Sequence, residues 1–274
     1  DFCLSRGLGD VYKRQGNMQV FGGDVTLDGS QTTTASGNIT ITPSGVYSGS
    51  GTLNSAGSLT ISGGTTVAPT GPLQATGNIS VSGSGNITTA SSSTAAITSN
   101  TGSVAITSTA GTISVERNVT APSSILLTAD TLNLVGNLNT TSSAGVVTIA
   151  PQTNSRVIDL GSEVSSRLSM TSAEVNRVSA GTLRIGASGG SNTGDINITA
   201  ALSPTGVPTL ALRTGSPGSV SSTGVRSITE TNLAVQAGGT ISLAANNVIS
   251  GNLALNSPAS TLTFNQTSGS FTPA

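Results

Sequence analysis

Three stretches of the chain repeat one short pattern: Gly37-Asn-Ile-Thr-Ile41, Gly57-Ser-Leu-Thr-Ile61 and Gly77-Asn-Ile-Ser-Val81. In each stretch the aliphatic residues alternate with Thr, Ser or Asn, which places the aliphatic side chains on one face of a β-strand. The first aliphatic residues are Ile39, Leu59 and Ile79, so the pattern recurs every 20 residues. Such a period is typical of a solenoid, in which each repeat buries its apolar face against its neighbours.

The same alternation continues through the rest of the chain. It is found at Val104–Ile106, Ile113–Val115, Leu132–Leu134, Val147–Ile149, Leu183–Ile185, Ile196–Ile198, Leu210–Leu212, Leu233–Val235, Ile241–Leu243, Leu253–Leu255 and Leu262–Phe264. The separations vary, which indicates more than one strand per repeat. Because Gly, Ser and Asn turns join the strands without helices between them, the sequence predicts an all-β fold, a parallel β-helix of roughly 20-residue coils. A sandwich of β-hairpins is the competing fold, but it would favour two-residue turns and more aromatic residues.

The composition excludes several classes of function. Of 274 residues, 35 are Gly, 44 Ser, 42 Thr and 20 Asn, and only 8% are charged, against roughly 25% in a typical soluble domain. With no His and one Cys, the usual zinc ligand sets and the Ser-His-Asp and Cys-His catalytic arrangements are excluded. We expect no cofactor and no metal. A net charge of −1 gives no electrostatic case for binding nucleic acid, and no apolar run approaches the ~18 residues of a transmembrane segment.

The first fifteen residues differ from the remainder. Residues 5–15 read SRGLGDVYKRQ, which resembles the translation of a transposon-type adapter used for sequencing libraries. We therefore expect residues 1–15 to be an unstructured artefact and residues 16–274 to be the β-helix repeat region. Without the leader the chain contains no Cys and no Lys. Because the pattern continues to the last residues, we also expect the chain to be a fragment of a longer protein.

One decorated insert, at about residues 151–186, interrupts the pattern. Within it, Thr171-Ser-Ala-Glu174 has the spacing of a capping box, and Gly181 would end a short helix near residues 172–179. Seven of the sixteen charges of residues 16–274 lie in or next to this insert. They either hold the small helix against the coils or form a recognition patch. The candidate residues for this structural or recognition patch are Arg156, Asp159, Glu163, Arg167, Thr171, Glu174, Arg177, Gly181 and Arg184.

Polar residues at the predicted turns have simpler explanations than a ligand site. Gly22-Gly-Asp24 and Asp28-Gly29 faintly resemble calcium-binding nonapeptide repeats, which require the motif in tandem, and here it occurs once. Asn38, Asn78 and Asn86 begin potential glycosylation sequons. Because Asn favours turns, we expect these residues to serve the turns of the coils.

The strings Val147-Thr-Ile-Ala-Pro151, Arg156-Val-Ile-Asp-Leu-Gly161, Leu168-Ser-Met-Thr-Ser-Ala-Glu174 and Ala180-Gly-Thr-Leu-Arg-Ile-Gly186 are similar to a recurring segment of filamentous-haemagglutinin-like exoproteins. These are large bacterial adhesins of the two-partner secretion and autotransporter types. The resemblance implies a right-handed β-helix, an outer-membrane export partner, an extracellular or cell-surface location and attachment to a surface ligand, either glycan or protein. The absence of Cys after residue 15 agrees with export, because disulfides formed in the periplasm would trap an unfolded chain.

We therefore expect a non-enzymatic, surface-exposed or secreted bacterial adhesin segment that acts as a β-helical rod or spacer for cell attachment. The first alternative is a carbohydrate-active β-helix enzyme, a lyase or hydrolase, in which Asp159, Glu163 and Glu174 would be the candidate acids. The second is a purely structural or ice-binding solenoid, which would require a regular Thr-x-Thr array on consecutive coils.

Overall fold

The computed structural model describes residues 12–89, 96–186, 194–222, 224–258, 261–268 and 272–273. The chain is an all-β parallel β-solenoid of about 11 turns that recur about 21 residues apart, with one short helix. The predicted fold class is therefore confirmed, whereas the handedness stays a prediction. The chain divides into two compact units: unit 1 contains residues 1–129 and 133–142, and unit 2 contains residues 130–132 and 143–274.

The first half of the chain contains nineteen of the strands. In chain order they are β1 (Tyr12–Gln15), β2 (Met18–Gly22), β3 (Val25–Thr26), β4 (Gln31–Thr34), β5 (Ile39–Pro43), β6 (Val46–Gly49), β7 (Leu53–Ser55), β8 (Leu59–Ser62), β9 (Thr66–Pro69), β10 (Leu73–Ala75), β11 (Ile79–Gly83), β12 (Asn86–Thr89), β13 (Ile97–Ser99), β14 (Val104–Ser108), β15 (Thr112–Val115), β16 (Val119–Ala121), β17 (Ser124–Thr128), β18 (Thr131–Leu134) and β19 (Leu138–Thr140).

The second half contains the remaining strands and the helix. They are β20 (Val146–Ala150), β21 (Ile158–Gly161), β22 (Leu168–Thr171), α1 (Ser172–Val175), β23 (Val178–Ser179), β24 (Thr182–Ile185), β25 (Ile196–Ile198), β26 (Thr209–Arg213), β27 (Val220–Ser222), β28 (Thr229–Glu230), β29 (Asn232–Gln236), β30 (Ile241–Ile249), β31 (Asn252–Asn256), β32 (Leu262–Ser268) and β33 (Thr272–Pro273). Within the described residues, no helix is long and apolar enough to cross a membrane.

Unit 1 is built from three parallel sheets. Their strand orders are β1-β4-β7-β10-β13-β16-β19, β2-β5-β8-β11-β14-β17 and β3-β6-β9-β12-β15, so a coil contributes one strand to each sheet. Ile39 pairs with Leu59, and Leu59 pairs with Ile79. The 20-residue period of the sequence is therefore the length of one coil.

The core of unit 1 consists of aliphatic side chains stacked in rows. Ile39, Leu59, Ile79, Val104 and Ile125 occupy one row, and each is at most 1% exposed. Burying an aliphatic side chain of this size contributes about 1.5–3 kcal/mol. Backbone groups are satisfied between coils, so the outward side of each strand needs only small polar side chains.

Unit 2 contains two parallel sheets with longer connections. Their orders are β20-β24-β26-β29-β31-β33 and β22-β21-β25-β27-β30-β28, with β32 also beside β30. The pairs Val147–Leu183, Leu183–Leu210, Leu210–Leu233 and Leu233–Leu253 measure successive coils of 36, 27, 23 and 20 residues. The longest coil contains the insert predicted from the sequence. Extra residues are accommodated between strands without changing the inward rows.

Two local expectations differ from the structure. Tyr12–Gln15, expected to be unstructured, form β1 and pair with β4, because backbone hydrogen bonds alone can add an extended segment to a sheet edge. The rest of the leader lies outside the described residues. The helix expected near 172–179 ends at Val175, since Val178 is buried as part of β23. Gly181 is therefore not the residue that ends it.

Candidate functional site

The patch residues predicted from the sequence all lie in unit 2. All except Arg184 lie in the 36-residue coil, and Arg184 follows it on β24. Strands β21 and β22 are parallel neighbours, with Ile158 beside Leu168 only ten residues later. The chain therefore makes one short turn before α1 and β24. This turn brings Arg167 back to Asp159 on β21.

Asp159 and Arg167 form an ion pair on this turn. The Asp159 carboxylate is fully buried, and Arg167 Nη1 donates to both of its oxygens at 3.1 Å. Asn197 Nδ2, one strand further on, donates to Asp159 Oδ1 at 3.1 Å, and Ser221 Oγ lies 3.2 Å from Asn197 Oδ1. Asp159, Asn197 and Ser221 are register partners across β21, β25 and β27. The result is a polar row that crosses three coils.

Thr171 and Glu174 form the predicted capping box of α1. Glu174 N donates to Thr171 Oγ1 at 3.2 Å, and Thr171 N donates to Glu174 Oε2 at 2.9 Å. Glu163 also hydrogen-bonds to Glu174. Burial, followed by this hydrogen bond and the charge of Glu174, raises the pKa of Glu163. The carboxyl groups of Glu163 and Glu174 are therefore neighbours, and that of Glu174 also caps α1.

The other patch residues are spread over separate surroundings. Arg156 Nε and Nη2 donate to the carbonyl oxygen of Asp130 at 3.2 and 3.0 Å. Arg177 makes no ion pair with any described residue. At Gly181 an added Cβ would lie 2.0 Å from the carbonyl oxygen of Ser143, so this glycine allows close approach of the backbone. The nine residues therefore do not form one constellation.

Arg184 contributes instead to a groove on the outward face of β24, β26, β29 and β31. The arginine groove has a volume of about 390 Å³ and is lined by Arg184, Arg213 and Gln236 over a floor of Ala211, Ala234 and Ala254. Arg213 Nε and Nη2 donate to Gln236 Oε1 at 3.1 and 2.6 Å. Burial, followed by the charge of Arg213, lowers the pKa of Arg184. Arg213 and Gln236 were not predicted, because no local motif links them to Arg184.

The sequence pattern also does not predict the burial of two ionisable groups. In unit 1, Arg117 is 4% exposed and donates through both Nη atoms to the carbonyl oxygens of Gly71 and Pro69, near the buried Tyr47. In unit 2, Glu230 is 7% exposed, and burial raises its pKa to about 7 despite a hydrogen bond from Thr231 N. The only sequence signal for either group is a charge beside an aliphatic strand.

Asn and Asp residues at the turns connect successive coils. The side-chain oxygen accepts from a backbone N–H one coil later, at 2.7–3.2 Å, in the pairs Asp24–Val46, Asp28–Ser50, Asn38–Ser58, Asn78–Ser103, Asn86–Thr112, Asp195–Ser219 and Asn232–Asn252. The expected turn role is confirmed for Asp24, Asp28, Asn38 and Asn78, whereas Asn86 is the first residue of β12. Among the described residues, no three His, Cys, Asp or Glu side chains are grouped so that they could hold a metal ion.

Comparison of the chain with models of known protein families, with curated proteins and with solved structures gives no match.

Proposed function

We propose that this chain is a non-enzymatic segment of a secreted or surface-exposed bacterial adhesin, in which the stacked coils act as a spacer. The spacer role is supported by the repetition of the same arrangement from coil to coil. Each coil has buried aliphatic side chains inside and small polar side chains outside. Each added coil lengthens a parallel solenoid by about 4.8 Å. The length of the solenoid therefore depends on the number of coils and not on which side chains lie on the outward face.

The adhesin assignment rests on the similarity of the strings between Val147 and Gly186 to filamentous-haemagglutinin-like exoproteins. The insert that contains these strings lies in the longest coil of unit 2. The ion pair between the buried Asp159 and the partly exposed Arg167, together with the capped helix, gives this coil a defined side-chain arrangement. A defined structural segment within a repeat region fits the proposed role.

The contacts of Asp159 and Glu174, two of the three candidate acids, support a non-catalytic role. Asp159 is fully buried and bonded to Arg167 and Asn197, so a substrate has no access to its carboxylate. Glu174 is held in the capping box. A general acid must reach the group that it protonates, and neither carboxylate is free to do so.

The outward hydroxyl rows favour a spacer over an ice-binding surface. Thr40, Thr60 and Ser80 are register partners on three consecutive coils, but Ala105 and then Leu126 follow in the same row. Leu126 is 37% exposed. The row therefore changes from polar to apolar within unit 1.

A display experiment tests the spacer and adhesin roles. The full chain is inserted between a cell-surface anchor and a binding domain of known specificity, and capture of particles is measured through a polymer brush. We expect more capture than when the same domain is attached directly to the anchor, and equal capture would contradict the spacer role. Beads coated with the chain alone should also attach to cells more than albumin-coated beads do, and equal attachment would contradict adhesion.

The enzyme alternative has a separate test. The purified chain is incubated with a panel of polysaccharides, and new reducing ends and unsaturated products are measured. We expect none. Depolymerisation that is abolished by Asp159→Asn but retained in Glu163→Gln would overturn the proposal and assign Asp159 a catalytic role.

A further inference from the structure

Glu230 is an acidic side chain that lies among the buried aliphatic residues of unit 2. Burial alternates from Ile228 to Glu230, so these two side chains share the inward face of the chain, and the register partner of Glu230 on β30 is Ile249. Both isoleucines are fully buried, and Glu230 is 7% exposed. A carboxylate is strongly disfavoured in such surroundings, because it loses its hydration.

The Glu230 carboxyl group has too few partners to replace that hydration. Its Oε1 atom accepts from Thr231 N at 2.8 Å, but its Oε2 atom is buried and has no hydrogen-bond partner among the described residues. Glu230 also makes no ion pair within the described part of the chain. Burial therefore raises its pKa to about 7. The protonated carboxyl is the form that suits the closed structure.

The elements around Glu230 carry no charge that could compensate it. No side chain after Glu230 is ionisable, and none between residues 196 and 212 is. Strands β30, β31 and β32 and the segment around Leu202 therefore present only neutral groups to it. The nearest charged residues along the chain are Arg226, in the turn before β28, and Arg213, which is bonded to Gln236 on the outward face. Neither forms an ion pair with Glu230.

Strand β28 is attached to its neighbours by a short region of backbone. It has two residues, and the bonds that join it to β30 run from Val248 N to the Ile228 oxygen at 2.9 Å and from Ser250 N to the Glu230 oxygen at 3.2 Å. The turn that precedes it is open to solvent, since Val225 is 93% exposed. Segments with few hydrogen bonds open at a lower free energy than the whole domain.

We propose that residues 224–231, which we call the β28 flap, are a pH-sensitive flap that lies on β30 while the Glu230 carboxyl is protonated and detaches locally when that carboxyl ionises. Detachment allows the carboxylate to reach water. It also uncovers Ile249 and frees the N–H groups of Val248 and Ser250. Because the closed flap favours the protonated form, opening increases as pH rises through 7. The inference does not depend on the spacer or the adhesin role.

Hydrogen exchange of backbone amides in the purified full chain tests the flap. Exchange is measured by NMR at pH 5 and pH 8 and expressed as protection factors, which remove the intrinsic dependence of exchange on pH. The reporter amides are those of Val248 and Ser250, and the reference amides are those of Val220 and Ile241, which are bonded to neighbouring coils outside the flap.

Two results are expected for the natural chain. The protection factors of the reporter amides should fall by about tenfold or more between pH 5 and pH 8, because ionisation of Glu230 favours the open flap. At pH 8 they should also lie about tenfold or more below those of the reference amides, because the flap opens without the rest of the unit.

Three variants assign the effect to Glu230. Glu230→Gln removes the ionisable group, and Glu230→Leu replaces it by an apolar side chain like those of Ile228 and Ile249. In both variants the reporter amides should be as protected at pH 8 as at pH 5. Glu163→Gln is the matched control, because Glu163 is another carboxyl of unit 2 whose pKa is raised, and it should retain the pH dependence of the natural chain. Circular dichroism identifies any variant that fails to fold.

Either of two results would overturn the inference. Equal protection factors for the reporter and reference amides at pH 8 would mean that the coils open only together. A fall in reporter protection in folded Glu230→Gln or Glu230→Leu as large as in the natural chain would mean that another group is responsible. The measurement on the natural chain is decisive by itself for the local opening, whether or not the variants fold.

Discussion

Arg167 closes a ten-residue parallel turn by donating from Nη1 to both carboxylate oxygens of Asp159, at 3.1 Å each. The Asp159 side chain is fully buried, whereas that of Arg167 is 41% exposed. A buried carboxylate without a partner is costly, so the chain can place Asp159 there only when Arg167 returns to it. The pair therefore fixes the path of the insert between β21 and β22.

We expect Arg167→Met to lower the free energy of unfolding by about 2 kcal/mol. This is less than the 3–5 kcal/mol typical of breaking a fully buried pair, because Arg167 is partly exposed and screened by solvent. The measurement is urea unfolding followed by circular dichroism. Asp159→Asn in the Arg167→Met background should recover part of the loss, since it removes the uncompensated charge. Arg177→Met is the matched control, and an equal loss in that variant would refute the role of the pair.

Glu174→Ala should remove the capping box and destabilise α1 by about 0.5–2 kcal/mol. It should also lower the pKa of Glu163 towards its ordinary value, because the charge and hydrogen bond of Glu174 contribute to raising it. Carboxyl titration by NMR measures the second effect. Thr171→Ser retains the capping hydroxyl and should leave the pKa of Glu163 high. An unchanged Glu163 pKa in Glu174→Ala would mean that burial alone raises it.

Glu230 makes the stability of the fold depend on pH. Its folded pKa of about 7 exceeds the ordinary value of 4.5, so between these two values the folded state binds more protons than the unfolded state. Stability from this group is therefore fully present below pH 4.5 and is lost as pH rises to 7, by at most about 3 kcal/mol. Glu230→Gln should remove this loss, as measured by urea unfolding at pH 5 and pH 8. A difference between the two pH values that equals that of the natural chain would contradict the prediction.

Arg117 is expected to stabilise unit 1 through the two carbonyl oxygens that it reaches. Arg117→Met preserves most of the volume but removes the hydrogen bonds to Gly71 and Pro69. Leaving buried acceptors without partners costs about 1–3 kcal/mol each, so we expect a loss of about 2–6 kcal/mol for the two carbonyls. Arg117→Lys should lose less, because the ammonium group can still reach one carbonyl. Thermal unfolding provides the measurement, and an unchanged transition in Arg117→Met would exclude the stabilising role.

The sequence predicts the parts of the fold that depend on local pattern. Ile39, Leu59 and Ile79 recur at the coil length, and Thr171 and Glu174 have the spacing of the cap that they form. It does not predict that Arg184 and Arg213 share a groove. Their proximity depends on the register between β24 and β26, where the coil is 27 residues long. The burial of Asp159 likewise depends on the short return of the chain to β22.

The Asn and Asp contacts between coils give the stack a direction. In Asn38–Ser58 and Asn78–Ser103, as in the other pairs of this set, the earlier coil provides the acceptor and the later coil provides the backbone donor. The side-chain oxygen of the turn Asn or Asp in one coil is therefore the acceptor for a backbone N–H of the next coil in the chain. By the same reasoning, if a coil were duplicated together with its turn Asn, the oxygen of that Asn would accept from a backbone N–H of the coil that then follows it.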